Sequence, residues 1–193
     1  PACRCQLKCI GLFKQPNPLM TTADAFNRII ESLQVKYYRS AMREVIKPSE
    51  LNGSIEPRNI LVQVKSGEFY GERDFTPIPP GSFYFMPVGS PIFFRHGKGP
   101  KYPVFGKEGF SSPDQREQFL KTRFHKQGVD PKKDIFSICG FDVHIYGAIP
   151  FFSILELPCF VLPPDEEMNY LMETLIAEEE KSQLGKERLQ RNL

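Results

Sequence analysis

The chain has 193 residues, 40% of them hydrophobic, with 17 Phe and 7 Tyr but no Trp, enough for one domain with a packed core, or a domain with a helical extension. A net charge of +2 is too near balance to argue by itself for nucleic acid or membrane, and no apolar run approaches the about eighteen residues that cross a bilayer. Eighteen Pro and 14 Gly favour many short elements, while five Cys read as the reduced thiols of a cytoplasmic protein rather than a disulfide framework.

Residues 1–20 read as an N-terminal arm. Its C-x-C-x3-C run (Cys3, Cys5, Cys9) is not a zinc spacing and lacks a fourth ligand, so no metal is expected. Met20, just after Pro16-Asn17-Pro18, is a candidate translation start. Phe26, Ile29, Ile30 and Leu33 recur with helical period and predict a helix over 21–33, capped by Thr21 or Thr22 with Asp24 in its first turn. A strand follows over 35–46, its alternation interrupted by Arg39, Arg43 and Glu44. Lys47-Pro48-Ser49 and Asn52-Gly53 read as turns, and 60–64 with 68–70 as a hairpin about Lys65-Ser66-Gly67.

The stretch Gly81–Phe94 (GSFYFMPVGSPIFF) joins two aromatic β runs through a Pro/Gly turn and predicts another hairpin. Its order G-x5-P-x-G resembles the second conserved motif of the cupin superfamily. In metal-binding cupins the third residue after the last Gly is a His ligand; here it is Ile92, and no His precedes His96 to build the first motif. The resemblance thus implies the cupin shape without its usual metal. His96, His125 and His144 are too dispersed for a facial metal triad.

Residues 96–134 carry nine Lys and Arg against five Asp and Glu and read as a long basic loop or insertion. A short helix is expected over 115–125, with Phe119, Leu120 and Phe124 as its apolar points. A solvated excursion is the favoured reading, a lid or basic binding surface the other. The strand predicted over 135–146 puts Phe136, Ile138, Gly140, Asp142, His144 and Tyr146 on one face, either a cavity lining or satisfied barrel residues. Aromatic walls with polar handles make Tyr38, Tyr84, Phe94, His144 and Tyr146 the ligand-contact candidates. A helical turn at 151–155 and an extended piece at 159–162 follow, with Cys159 read as packing.

The strongest helix is predicted over 165–183, started by Pro163-Pro164-Asp165 and ended at Gly185. Its stripe of Met168, Leu171, Met172, Leu175 and Ile176 either docks on the domain or pairs with a second copy, and these are the candidate dimer contacts.

The order of DAFNRIIESLQVKYYR, the G-x5-P-x-G stretch, ICGFDVHIY, AIPFFSILELP and a terminal amphipathic helix resembles the N-terminal cupin domain of AraC-type transcriptional regulators. The resemblance implies a mainly β fold: a cupin-like antiparallel β-barrel (jelly roll) over 21–164, with a short N-terminal helix and C-terminal amphipathic helices over 165–193. The function implied is a non-catalytic sensor of a bacterial cytoplasmic regulator, without a cofactor. It would bind a small organic effector, dimerise through the C-terminal helix, and meet DNA only through a following domain. The helical pattern still unfinished at Leu193 agrees with such a continuation. Two other readings stay open: a free-standing cupin enzyme, isomerase or dioxygenase, and a pure dimerisation module whose barrel is filled by its own Phe and Tyr.

Overall fold

The computed structural model describes residues 22–97, 99 and 103–191; Cys3, Cys5, Cys9, Met20 and Thr21 lie outside the described residues. The chain divides into two units, residues 1–32 and 33–193. In the first, α1 (Thr22–Glu31) forms where the apolar period predicts it. Ser32 ends it by donating its hydroxyl to the Ile29 carbonyl at 2.7 Å. Leu33, counted with the stripe from sequence, instead opens a strand.

The second unit is built on two sheets. The larger contains β1 (Leu33–Val45), β3 (Asn59–Ser66), β6 (Phe83–Met86), β9 (Leu120–Arg123), β10 (Ile135–Ile145) and β12 (Phe160–Leu162). Their order is β12-β6-β3-β10-β1-β9, and β11 (Ile149–Pro150), which α3 (Phe151–Leu155) follows directly, pairs with the end of β10. The smaller contains β2 (Ser49–Ile55), β4 (Phe69–Gly71), β5 (Thr76–Pro77), β7 (Pro91–His96) and β8 (Val104–Phe105), ordered β5-β4-β7-β2-β8. Among the described residues, only β2 with β8 is a parallel pair. Val62, Tyr84, Met86 and Phe136 from the larger sheet share one buried core with Phe69, Ile92 and Phe94 from the smaller.

A second apolar layer lies on the other face of the larger sheet. There Phe83 and Cys139 bury Met172 and Ile176 of α4 (Glu166–Arg191), with Leu61, Phe141, Leu162, Met168 and Leu175 packed around them. All four residues of β6 are therefore buried, which is why Phe83–Met86 reads as a continuous apolar run rather than an alternating one. The helix expected to break at Gly185 continues to Arg191. One interior Gly costs about 1 kcal/mol, too little to stop a helix on its own.

Several expectations are corrected. The strands of the expected β-barrel (jelly roll) form two sheets that do not close into one barrel, and neither expected hairpin exists. β3 and β4 lie in different sheets, as do β6 and β7. Alternation within a strand sets which face is buried but not which sheet the next strand joins. At the first crossover Gly67 adopts φ +94, and a Cβ there would sit 2.1 Å from Asp134 Oδ1. At the second, Val88 N–H donates to Asn59 Oδ1 at 3.1 Å and the Ser90 hydroxyl to the Leu157 carbonyl at 2.8 Å, so the turn is tied to neighbouring segments.

Asn52-Gly53 is not a turn but a bulge inside β2, where the pairing with β7 shifts register and Gly53 takes φ +74. The 96–134 segment is no solvated excursion either. It supplies β8, α2 (Pro113–Glu117) and β9, which extends the larger sheet along β1. The helix expected over 115–125 starts earlier, because Ser112 Oγ accepts from Gln115 N–H (3.1 Å) ahead of Pro113. It stops at Glu117 because Leu120 is drawn into the core.

A candidate binding cavity between the sheets

The site begins with an irregularity in β1. Up to Tyr37, odd-numbered residues of β1 pair with odd-numbered residues of β10 (Tyr37 with Phe141), on the face that carries α4. The register then skips Tyr38, and Arg39 pairs with Gly140, Ala41 with Ile138 and Arg43 with Phe136. One extra residue inverts which side chains face which way. The bulge thereby turns Arg39, Ala41 and Arg43 away from the helix and into the space between the sheets, where all three line a cavity of about 530 Å³.

The floor of that cavity is apolar and aromatic: Val62 on β3, Met86 on β6, Ile92 and Phe94 on β7, Leu120 on β9, Phe136 and Ile138 on β10. Phe94 stacks on Tyr84 (5.6 Å between centroids) and meets His96 and Phe136 edge-on. His96 is buried, with Nδ1 2.9 Å from the Ser49 hydroxyl. Burial pushes its pKa down to about 4, only partly countered by the hydrogen bond with the Ser49 backbone. The imidazole is neutral at neutral pH, so it adds a polar atom to the site but no charge.

The rim is charged. Arg39 and Arg43 come from β1, Glu56 and Arg58 from the turn after β2, and Glu108 and Arg116 from the segment carrying α2. Burial pushes Arg43 down to about 10, and the guanidiniums of Arg116 and Arg39 add to the shift. Arg116 is lowered for the same reasons, burial first and Arg39 second. Burial raises the Glu56 carboxyl despite the opposing pull of Arg39, Arg116 and Arg58. Arg58 is held on the Tyr38 ring, its Cζ 3.6 Å from the centroid, while the Tyr38 hydroxyl donates to Asp142 Oδ2 at 2.5 Å. Arg43 donates to the Thr122 hydroxyl of β9.

The wall that brings Phe110 and Arg116 to the cavity continues through β9 to a short 3-10 turn at His125–Gln127, which is fastened to α4. His125 N–H donates to Glu180 Oε1 at 2.5 Å, and its Nε2 lies 2.5 Å from Glu173 Oε2. Lys65 on β3 reaches the other oxygen of Glu173 at 2.5 Å and Asn169 at 2.9 Å. One helix face thus collects contacts from both the cavity wall and the larger sheet.

Of the five expected ligand contacts, Tyr38 and Phe94 line the cavity. Tyr84 lies beneath it, fully buried, donating its hydroxyl to the Phe93 carbonyl (3.1 Å) and accepting from Glu72 N–H (3.0 Å). His144 is near the far end of β10 and Tyr146 just after it, both beyond the lining residues, and Tyr146 is 72% exposed. The expected dimer stripe is divided: Met172 and Ile176 are buried on the chain's own sheet, Met168 and Leu175 partly so, and Leu171 is exposed. Sequence reading did not place the arginines in the site: Arg39 and Arg43 showed only as interruptions in the β1 alternation, and Arg116 lay in the segment whose second reading was a lid or basic binding surface. No group of His, Cys, Asp and Glu able to hold a metal occurs among the described residues, nor any helix long and apolar enough to cross a membrane. Comparison with protein-family models, with curated proteins and with solved structures finds no match.

Proposed function

We propose that residues 33–193 form a non-catalytic, small-molecule-binding domain whose ligand enters the cavity between the sheets and biases the contacts of α4. The observation that carries this reading is the cavity itself: about 530 Å³, apolar below and polar at the rim, within the range used by ligand sites. Its polar groups are chiefly guanidiniums, which donate hydrogen bonds but keep their protons at neutral pH. The buried Cys139 thiol, raised by desolvation to about 11, is on the sheet face that carries α4, where Cys139 is the cross-strand neighbour of Ser40, and lies outside the cavity lining.

The strand orders β6-β3-β10-β1 and β5-β4-β7-β2 support a jelly roll of the cupin kind, two sheets joined by nested crossovers. Together with the ordered resemblance in the sequence, they support the sensor domain of a bacterial, cytoplasmic AraC-type regulator, in which DNA is read by another domain. The relay rests on the wall segment, which places Arg116 at the cavity and His125 on α4. A ligand shifts that helix only through different affinity for two arrangements of the wall.

Ala41 faces the cavity opposite Ile138, so a larger side chain there fills the space. A thermal-shift and calorimetric panel of small organic compounds on the unaltered chain and on Ala41→Phe tests the reading. The expected result is at least one binder whose affinity falls about tenfold or more in Ala41→Phe while unfolding stays cooperative. Binders indifferent to Ala41→Phe would place the ligand elsewhere and end this reading.

A further inference from the structure

The rim is unbalanced in charge. Arg39, Arg43, Arg58 and Arg116 line it against only Glu56 and Glu108. Elsewhere in the molecule two partly buried arginines carry an acid: Arg95 holds Glu50 at 2.6 Å and Arg123 holds Glu44 at 2.5 Å; at the rim Arg43 and Arg116 are partly buried, while Arg39 and Arg58 are exposed. Among the described residues none of the four rim arginines forms such an ion pair. The Nε of Arg116 is buried without an acceptor.

Gathering like charges at the mouth of an apolar space is unfavourable unless a counter-charge sits between them. Arg58 lies on the Tyr38 ring, while Arg39, Arg43 and Arg116 feel one another, with Glu56 and Glu117 as the acids that partly offset them. Guanidiniums present forked donors that match the two oxygens of a carboxylate or the oxygens of a phosphate. Just below them the lining changes to Ile92, Phe94 and Phe136.

We propose that the ligand is an amphipathic organic oxyanion, its carboxylate or phosphate held by Arg39, Arg43 and Arg116 and its hydrocarbon or aromatic body laid against Phe94 and Phe136. This inference rests on the cavity being a ligand site. Thr122 orients Arg43 through its hydroxyl, so β9 is part of the anion site although it lies on the edge of the sheet.

The test uses the whole chain and four probes with one body: 4-phenylbutyrate, 4-phenylbutyl phosphate, 4-phenylbutanol and 4-phenylbutylamine, titrated calorimetrically at low and moderate salt. The two anions are expected to bind about tenfold to a hundredfold more tightly than the alcohol, weakening with salt, with the amine weakest. The tighter of the two anions assigns the head group. Arg39→Met with Arg116→Met should bring the anions down to the alcohol's affinity and leave the alcohol within about twofold. Equal binding of alcohol and anion to the unaltered chain, a comparison that needs no variant, overturns the anion site while the cavity remains a ligand site. Binding of none of the four by the folded protein removes the cavity reading itself.

Discussion

His96 is the residue whose chemistry is most altered by its surroundings. Its folded pKa lies at about 4 against an ordinary 6.5, so between those values the unfolded chain takes up a proton that the native ring does not. Stability is therefore complete above pH 6.5 and is lost as pH falls toward 4, by roughly 3 kcal/mol over the window. Urea titrations at several pH values on the unaltered chain and on His96→Phe isolate this part. The variant should cost about 1–3 kcal/mol at pH 7, because the Ser49 hydroxyl loses its partner, yet show a flatter acid slope. Equal slopes would mean that the ring is not buried neutral. Glu44, held below the usual carboxylate range by Lys133 and Arg123 against the opposing effect of burial, adds its loss only at lower pH.

At the scale of elements, crossovers and docking decide what a substitution does. Gly67→Ala combines a left-handed φ with a clash against the Asp134 main chain, 2.5 Å from its Cα, and should cost roughly 2–4 kcal/mol in denaturant unfolding. A loss under about 0.5 kcal/mol would show that the β3–β4 crossover is looser than described. On α4, Met172→Ala and Ile176→Ala should each cost about 2–5 kcal/mol, since both side chains are buried against Phe83 and Cys139. Leu171→Glu should leave stability within about 0.5 kcal/mol. Because Leu171 and Tyr170 are the large apolar side chains that this stretch of the helix leaves exposed, Leu171→Glu is also the variant that probes pairing with a second copy. A dimer persisting unchanged in sedimentation would place any pairing away from this helix face. Much of this layer was legible in the sequence: the period-3.6 stripe gave α4 and its buried face, and apolar runs gave β6, β7 and β10. What was not legible was which sheet each strand joins, because the pairing partners of β3, β6 and β7 are set by contacts between segments far apart in the chain. The cavity rim was hidden for a related reason. A single skipped residue at Tyr38 inverts the faces of β1, so the period-two pattern breaks at the very place where Arg39 and Arg43 turn inward.

In the molecule as a whole three features meet: a cavity with an apolar floor, an arginine rim, and a wall that reaches from Arg116 to the His125 contacts on α4. Neither the β1 bulge nor the 96–134 segment makes the site alone; the bulge aims two arginines and the segment brings the third. If a ligand biases α4, occupying the cavity must be felt along that wall. Amide hydrogen exchange of the full chain, with and without saturating 4-phenylbutyrate, tests it most directly. Slower exchange is expected in β1 after the bulge, in residues 113–127 and in the first half of α4. Unchanged exchange in all three, or slowing confined to segments remote from the cavity, would contradict it.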